Sequence, residues 1–231
     1  MTSELASNNY LEVIEDAKNA IINHPNLPLS YIILGVAQSS IKEYEKSLTS
    51  LKIGISLVID DRLLISDFDH HIGDAYYQLQ DFEKAFTHLQ NAVKNNPNNP
   101  VLLNNYSYYL AEQKRELILA EELILKALKN HPENPTFLDT YGWVLFNKED
   151  FNNAEIWINK ALNNSTEENG VILEHYGDVL FYLDKKEEAL KNYNKAISLK
   201  KDFSEALNNL GNLMVQLNKP KEAIEHFEKA L

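Results

Sequence analysis

The sequence contains no cysteine, which excludes disulfide bonds and metal sites with thiolate ligands. Glycine and proline are scarce, with seven residues of each, too few for a β-rich fold with frequent tight turns. No run of about 18 consecutive apolar residues indicates a transmembrane helix. The first residues also lack the basic segment and apolar run that are typical of a signal peptide. The remaining composition, rich in Ala, Leu, Ile, Lys and Glu, predicts an all-α protein.

Basic residues are also in deficit. The 22 Lys and Arg residues face 34 Asp and Glu residues, and the net charge is −12. Because an acidic surface repels phosphate groups, we predict neither a nucleic-acid partner nor direct membrane insertion. A protein or peptide segment that is basic, or polar and aromatic, is the favoured partner. The sequence has no glycine-rich phosphate loop and no GxSxG motif, so we predict no cofactor and no enzymatic activity.

Small residues recur along the chain at a nearly constant spacing. In the first series the successive spacings are 38, 34, 35, 35 and 34 residues, and its members are Gly35, Gly73, Ser107, Gly142, Gly177 and Gly211. Two further series keep the same period: Ala85, Ala120, Ala154, Ala189 and Ala223, and then Gly54, Ala92, Ala127, Ala161, Ala196 and Ala230. A period of about 34 residues accommodates a helical hairpin. The spacing therefore predicts a helix-turn-helix repeat.

A bulky residue recurs between the two alanine series, as Leu89, Ile124, Ile158, Tyr193 and Phe227. Each lies four residues after one small residue and three before the next, so all three share one helix face. We expect the small residues to permit close helix crossings and the bulky residues to fill the space beside them. One hairpin cannot bury its apolar face alone, so consecutive hairpins should stack into a continuous core.

These series resemble the tetratricopeptide repeat (TPR), whose signature has Leu-Gly, Ala, an aromatic residue, Ala and Pro in this order. The resemblance implies an all-α right-handed superhelical solenoid of about six units plus an unpaired N-terminal helix. We predict one domain over residues 1–231, with the lone helix at residues 10–25 and repeats at about 28–65, 66–99, 100–134, 135–169, 170–203 and 204–231. The first unit is the longest, and we expect its second helix to extend through Ile59. The middle of the chain is similar to TPR proteins of bacteria, particularly Bacteroidetes.

In TPR proteins the first helix of each repeat lines a concave groove that binds an extended polypeptide. Carried over to this sequence, the implied groove residues are His70, His71, Asp74, Tyr77, Asn104, Asn105, Tyr108, Asp139, Trp143, Phe146, Glu174, Asp178, Phe181, Asn208 and Asn212. Chaperone-binding TPRs clamp a terminal carboxylate with Lys, Arg and Asn. The basic residues are absent from these positions, so a carboxylate clamp is not expected here.

The implied groove offers three kinds of contact. Asn side chains, including Asn208 and Asn209, would bond to the main chain of the ligand. Aromatic residues would contact its apolar side chains, through Tyr108, Trp143, Phe146 and Phe181. Acidic residues would face its Lys or Arg side chains, through Asp74, Asp139, Glu174 and Asp178.

Several residues have more than one interpretation. The pattern His70-His71-x-x-Asp74 has the i,i+4 spacing of a helical metal site, but no fourth ligand follows at a suitable offset, and we predict no metal. Trp143 either contacts a ligand or packs inside the protein. Trp157, next to Ile158, is expected to point sideways or outward, where it would bridge repeats or mark a second contact surface.

The leading functional prediction is a protein–protein interaction scaffold. The alternative is an oligomeric spacer that assembles by stacking of its terminal repeats, since no polar capping helix follows Leu231. The unpaired first helix predicts that the sequence is a piece of a longer protein. We expect a cytoplasmic location, or the bacterial envelope or periplasm if that longer protein is exported.

Overall fold

The computed structural model describes the backbone of residues 2–231 and the side chains of residues 9–231. Over these residues it has thirteen α-helices and no strand, which confirms the all-α prediction. The helices are α1 (Thr2–Asn23), α2 (Pro28–Ser40), α3 (Tyr44–Ser56), α4 (Arg62–Gln78), α5 (Phe82–Asn95), α6 (Pro100–Glu112), α7 (Leu117–Asn130), α8 (Pro135–Asn147), α9 (Phe151–Asn164), α10 (Gly170–Tyr182), α11 (Lys186–Leu199), α12 (Ser204–Gln216) and α13 (Pro220–Ala230). In this described part, no helix has the length and apolar character needed to cross a lipid bilayer.

The chain divides into two compact units, Met1–Leu103 and Asn104–Leu231. In the first unit each helix from α1 to α5 contacts the next, and α2 also contacts α4. In the second unit each helix from α7 to α13 contacts the next, and α8 contacts α10, which contacts α12. Contacts between neighbours and between alternate helices are the pattern of stacked hairpins in a solenoid.

Two helix ends differ from the sequence-based expectation. α1 begins at Thr2 rather than at residue 10 and ends at Asn23. The predicted extension of α3 through Ile59 is wrong, because α3 ends at Ser56. The extra residues instead lengthen α4, whose start is capped by Asp61: its carboxylate accepts a hydrogen bond from the Leu64 amide at 3.0 Å.

The turns inside the six helix pairs share one geometry. Each contains a non-glycine residue with positive φ, at Lys42, Gln80, Lys114, Glu149, Asp184 and Asn218. In each turn the next amide bonds to the carbonyl five residues earlier, as Asp150 does to Leu145 at 2.9 Å. This is the Schellman arrangement, which stops a helix and reverses the chain. These left-handed residues recur with the same period as the small residues.

Small residues and bulky residues meet where the two helices of a pair cross. A Cβ atom added to Gly142 would lie 2.4 Å from Cγ1 of Ile158. The corresponding pairs, with closest distances of 2.4 to 2.7 Å, are Gly73 with Leu89, Gly177 with Tyr193, and Gly211 with Phe227. Ser107 occupies the equivalent position in its repeat and donates a hydrogen bond to the Ala120 carbonyl at 2.7 Å. Among the predicted packing alanines, the buried ones are Ala85, Ala92, Ala120, Ala127, Ala154, Ala161, Ala189, Ala196 and Ala223, and Ala230 is half-buried.

We expect Gly142→Ala to lower the free energy of unfolding by roughly 1–3 kcal/mol, because the added Cβ would lie 2.4 Å from Cγ1 and 3.1 Å from the backbone N of the fully buried Ile158. Gly170→Ala is the matched control, since its added Cβ would meet neighbours only at 3.6 Å or more. Urea denaturation of both variants measures the difference. Equal stability of the two variants would contradict the close crossing.

Candidate functional site

Three charged or titratable residues are buried between the first helices of the second unit. Asp139 of α8 is 5% exposed, and Glu174 and His175 of α10 are 6% and 2% exposed. Nδ1 of His175 lies 3.0 Å from Oδ2 and 3.1 Å from Oδ1 of Asp139. Its Nε2 lies 3.9 Å from Oε2 of Glu174. The imidazole therefore lies between two carboxyl groups inside the protein.

The hydrogen bonds continue from this group to α11 and α12. The Asn209 side-chain amide donates to Oε1 of Glu174 at 2.6 Å and to Oδ1 of Asp178 at 2.8 Å. The Tyr193 hydroxyl donates to the same Asp178 oxygen at 2.6 Å. We call these six residues the buried polar network: Asp139, Glu174, His175, Asp178, Tyr193 and Asn209. The network joins four helices of three consecutive repeats.

Burial and neighbouring charges shift the pKa values in this network. Burial by itself lowers the pKa of His175, but the neighbouring carboxylates, Asp139 first and then Glu174 and Glu112, together outweigh it and raise the pKa to about 9. Burial, followed by the charge of Asp178, raises the pKa of Glu174 to about 8. Burial raises the pKa of Asp178 to about 6. His175 therefore favours its protonated form, and burial makes both carboxyl groups beside it harder to ionise than exposed ones.

Aromatic side chains cover the network on its open side. The Trp143 indole lies between the His175 ring, with centroids 4.1 Å apart and an interplanar angle of 12°, and the Phe146 ring, at 4.7 Å and 8°. Its Nε1 donates to Oε1 of Glu112 at 2.5 Å. The indole is thus stacked on two rings of the protein and hydrogen-bonded through Nε1, which favours the packing interpretation of Trp143.

A pocket of about 140 Å³ lies next to this stack. Tyr182, which is 59% exposed, contacts Phe146 edge-on at a centroid distance of 5.2 Å and Phe181 at 5.7 Å. We call this cavity the aromatic pocket. Its lining residues are Phe146, Asp178, Phe181, Tyr182, Tyr193, Asn209 and Asn212. It combines four aromatic rings with one carboxylate and two amides. We call the surface around it, formed by α8, α10 and α12, the first-helix face.

The predicted groove residues of this unit differ in burial: some are buried, some line the aromatic pocket and some are exposed. Asp139 and Glu174, expected to face basic groups of a ligand, are instead buried and bonded to His175 and Asn209. Phe146, Asp178, Phe181 and Asn212 line the aromatic pocket. Asn208 is exposed, whereas Asn104 is buried and donates to Asn105 at 3.2 Å. The Tyr108 ring lies 6.1 Å from that of His175.

Sequence reasoning missed the functional position of Tyr193. The repeat pattern predicts it only as the bulky packing residue opposite Gly177. Its ring does pack there, but its hydroxyl reaches Asp178. The available signal is that repeat five has tyrosine where the neighbouring repeats have isoleucine or phenylalanine.

The predicted groove residues of the first unit form a separate group on α4. His70 Nε2 and His71 Nδ1 lie 3.4 and 3.9 Å from Oδ2 of Asp74, and one donor atom from each residue lies within 4.8 Å of the others. Burial lowers the pKa of both histidines, so both are neutral at pH 7. Tyr77 contacts Phe82 edge-on at 5.3 Å. A structural zinc site needs four ligands, and this helix supplies three. We therefore expect no metal here, and this expectation stays a prediction.

Trp157 packs inside its own helix pair. Its ring contacts Tyr141 of α8 at a centroid distance of 4.8 Å, and the Lys160 ammonium lies 5.1 Å from its centroid. The Tyr141 hydroxyl donates to Glu121 at 3.3 Å. The link to the preceding repeat therefore passes through Tyr141, while Trp157 supports that ring from the side.

Comparison with known proteins agrees with the repeat pattern. A TPR repeat family model matches residues 177–218, and a tetratricopeptide repeat model matches residues 70–99. No curated protein matches the sequence. The chain is similar in structure to a chain of the APC/C hetero-tetramer Cut9-Hcn1, at 14% identity and a TM-score of 0.82, covering 97% of this chain and 43% of that one. It therefore spans less than half the length of that relative.

Two bacterial structures are also similar. A tetratricopeptide repeat protein from Parabacteroides merdae aligns at 17% identity and a TM-score of 0.78, over 96% of this chain and 86% of that one. YrrB, a TPR protein with an unusual peptide-binding site, aligns at 19% identity and a TM-score of 0.57, over 84% of this chain and 97% of that one. At these identities the similarity concerns the fold alone. Residues 70–99 and 177–218 therefore match tetratricopeptide repeats, and the chain has the all-α fold of the TPR solenoids.

Proposed function

We propose that this protein is a non-enzymatic scaffold that binds an extended polypeptide on the first-helix face of its second unit. TPR proteins generally bind other proteins and lack catalytic activity of their own. One observation carries the proposal for this chain: an open, aromatic-lined pocket adjoins a buried and fully organised polar network. YrrB, which has the same fold, is described as having a peptide-binding site.

The buried polar network supports this function by holding the binding surface rigid. Side chains from α8, α10, α11 and α12 are joined by short hydrogen bonds, so the rings above them are ordered before a ligand arrives. A surface that is already ordered loses less conformational entropy on binding. Exposed Tyr182 and Asn212 then supply an aromatic contact and an amide for the ligand main chain.

The experiment is a binding titration of the purified full chain with short, labelled, unstructured peptides. We compare basic–aromatic peptides with acidic–aromatic peptides of equal length, by fluorescence anisotropy. Because the chain has a net charge of −12, only the basic–aromatic peptides should bind. Binding of both sets with equal affinity, or of neither, would refute the proposal.

Two variants locate the binding surface. Tyr182→Ala should weaken peptide binding by about tenfold or more, as truncation of an aromatic anchor usually does. Ile156→Ala is the matched control, because Ile156 is an exposed apolar residue on the second helix of a repeat. An equal loss of affinity in both variants would place the binding surface elsewhere.

Light scattering on the same samples tests the alternative function, a self-assembling spacer. Concentration-dependent oligomers without peptide binding would favour that alternative.

A further inference from the structure

We propose that the aromatic pocket binds the cationic end of a single Arg or Lys side chain carried by the polypeptide ligand. This inference rests on the function proposed above and specifies what the pocket selects. It is carried by the size of the pocket, by its four aromatic rings, and by the bonding of Asp178.

The size of the pocket restricts the ligand to one side chain. Its volume of about 140 Å³ is well below the roughly 300–1,000 Å³ of sites for small molecules. The rings that line it belong to Phe146, Phe181, Tyr182 and Tyr193. Aromatic faces attract cations and also accept the apolar stem of a Lys or Arg side chain. A neutral apolar side chain would contact the rings but would give no partner to Oδ2 of the Asp178 carboxylate.

Asp178 supplies the charge. Both of its hydrogen bonds, from Tyr193 and from Asn209, end on Oδ1. Within the described residues, no side chain donates to Oδ2 of Asp178 and no Lys or Arg forms an ion pair with it. The two donors hold the carboxylate in one orientation, and the second oxygen is available to a guanidinium or ammonium group.

The neighbouring carboxyl groups do not compete for the ligand. Asp139 is paired with His175, and Glu174 already accepts the Asn209 hydrogen bond, while burial and the charge of Asp178 raise its pKa and disfavour its ionised form. The other titratable groups near Asp178 are Glu112 and Tyr193. Glu112 accepts the Trp143 hydrogen bond, and the Tyr193 hydroxyl donates to Asp178 itself. Asp178 is therefore the carboxyl group that the pocket lining offers to a cation.

The direct test is an NMR titration of the full chain with three probes of similar shape: propylguanidinium, propylammonium and the neutral propylurea. The side-chain amide signals of Asn209 and Asn212, which line the pocket, report binding. Both cations should shift these signals and propylurea should not. The shift should weaken as the pH falls below about 6, where Asp178 becomes protonated. If propylurea shifts these signals of the wild-type protein as much as the two cations do, the inference is wrong.

Variants and peptides provide two further arms. Asp178→Asn should abolish the response to propylguanidinium, whereas Asp202→Asn, an equal change in net charge outside the pocket, should retain it. In a bound peptide, replacement of arginine by citrulline should weaken affinity at least about tenfold. If the citrulline peptide binds as tightly as the arginine peptide, the cation pocket is refuted but the scaffold function is not. Binding of propylguanidinium without binding of any peptide would refute the scaffold function and leave the cation specificity.

Discussion

Asp139→Ala is expected to lower the free energy of unfolding by roughly 3–5 kcal/mol, because it removes one partner of a buried ion pair. His175 is 2% exposed, and Asp139 is the main group that keeps it protonated. Without Asp139 the buried imidazole must either retain a charge without its main partner or lose its proton. Both outcomes destabilise the folded state.

Urea denaturation measures this loss. Asp184→Ala is the matched control, since the Asp184 side chain is 84% exposed and its contact with Lys186 is a surface ion pair of small value. Asp139→Asn should lose less stability, because an amide oxygen still accepts a hydrogen bond from Nδ1 of a neutral imidazole. The double variant Asp139→Ala, His175→Leu should recover part of the stability. A loss no larger than that of Asp184→Ala would contradict the buried pair.

Stability is expected to fall as the pH rises from about 5 to about 9, opposite to the usual behaviour of paired carboxylates. The folded pKa of His175 rises from 6.5 to about 9, so its stabilisation is complete below about 6.5 and is lost through pH 9. The folded pKa values of Glu174 and Asp178 rise from 4.5 to about 8 and from 3.8 to about 6. At these three groups the folded protein therefore binds more protons than the unfolded chain, whereas His70 and His71, whose pKa values are lowered by burial, act in the opposite direction. Each of the three groups contributes to this slope between its unfolded and its folded pKa.

Glu174→Gln isolates one contribution to this slope. It should flatten the curve of unfolding free energy against pH between about 5 and 8, because an amide does not ionise and still accepts the Asn209 hydrogen bond. Glu187→Gln, at an exposed position in the first turn of α11, is the control and should give the same curve as the wild-type protein. Parallel curves for the wild-type protein and Glu174→Gln would show that Glu174 ionises normally in the folded state.

The repeat architecture could be predicted from the sequence because its signals are local. A glycine such as Gly142 and a bulky residue such as Ile158 mark the crossing of two helices that are adjacent in sequence, and the structure places them in contact. The left-handed residue in each turn could not be predicted in this way. Lys42, Gln80 and Glu149 adopt positive φ without being glycine, because hydrogen bonds to the preceding helix impose that conformation.

The candidate site depends on distances that the repeat pattern does not contain. Asp139 and His175 lie 36 residues apart, and Glu174 and Asn209 lie 35 apart, yet each pair is hydrogen-bonded across two stacked first helices. The resemblance to TPR proteins assigned Asp139, Glu174 and Asn209 to one face of the first helices, since helical periodicity determines the direction of a side chain. Only the tertiary structure decided that Asp139 and Glu174 satisfy partners within the protein while Asp178 borders an open pocket. The physical reason is that burial and pairing depend on the separation of side chains from different repeats, which is set by how the helices pack.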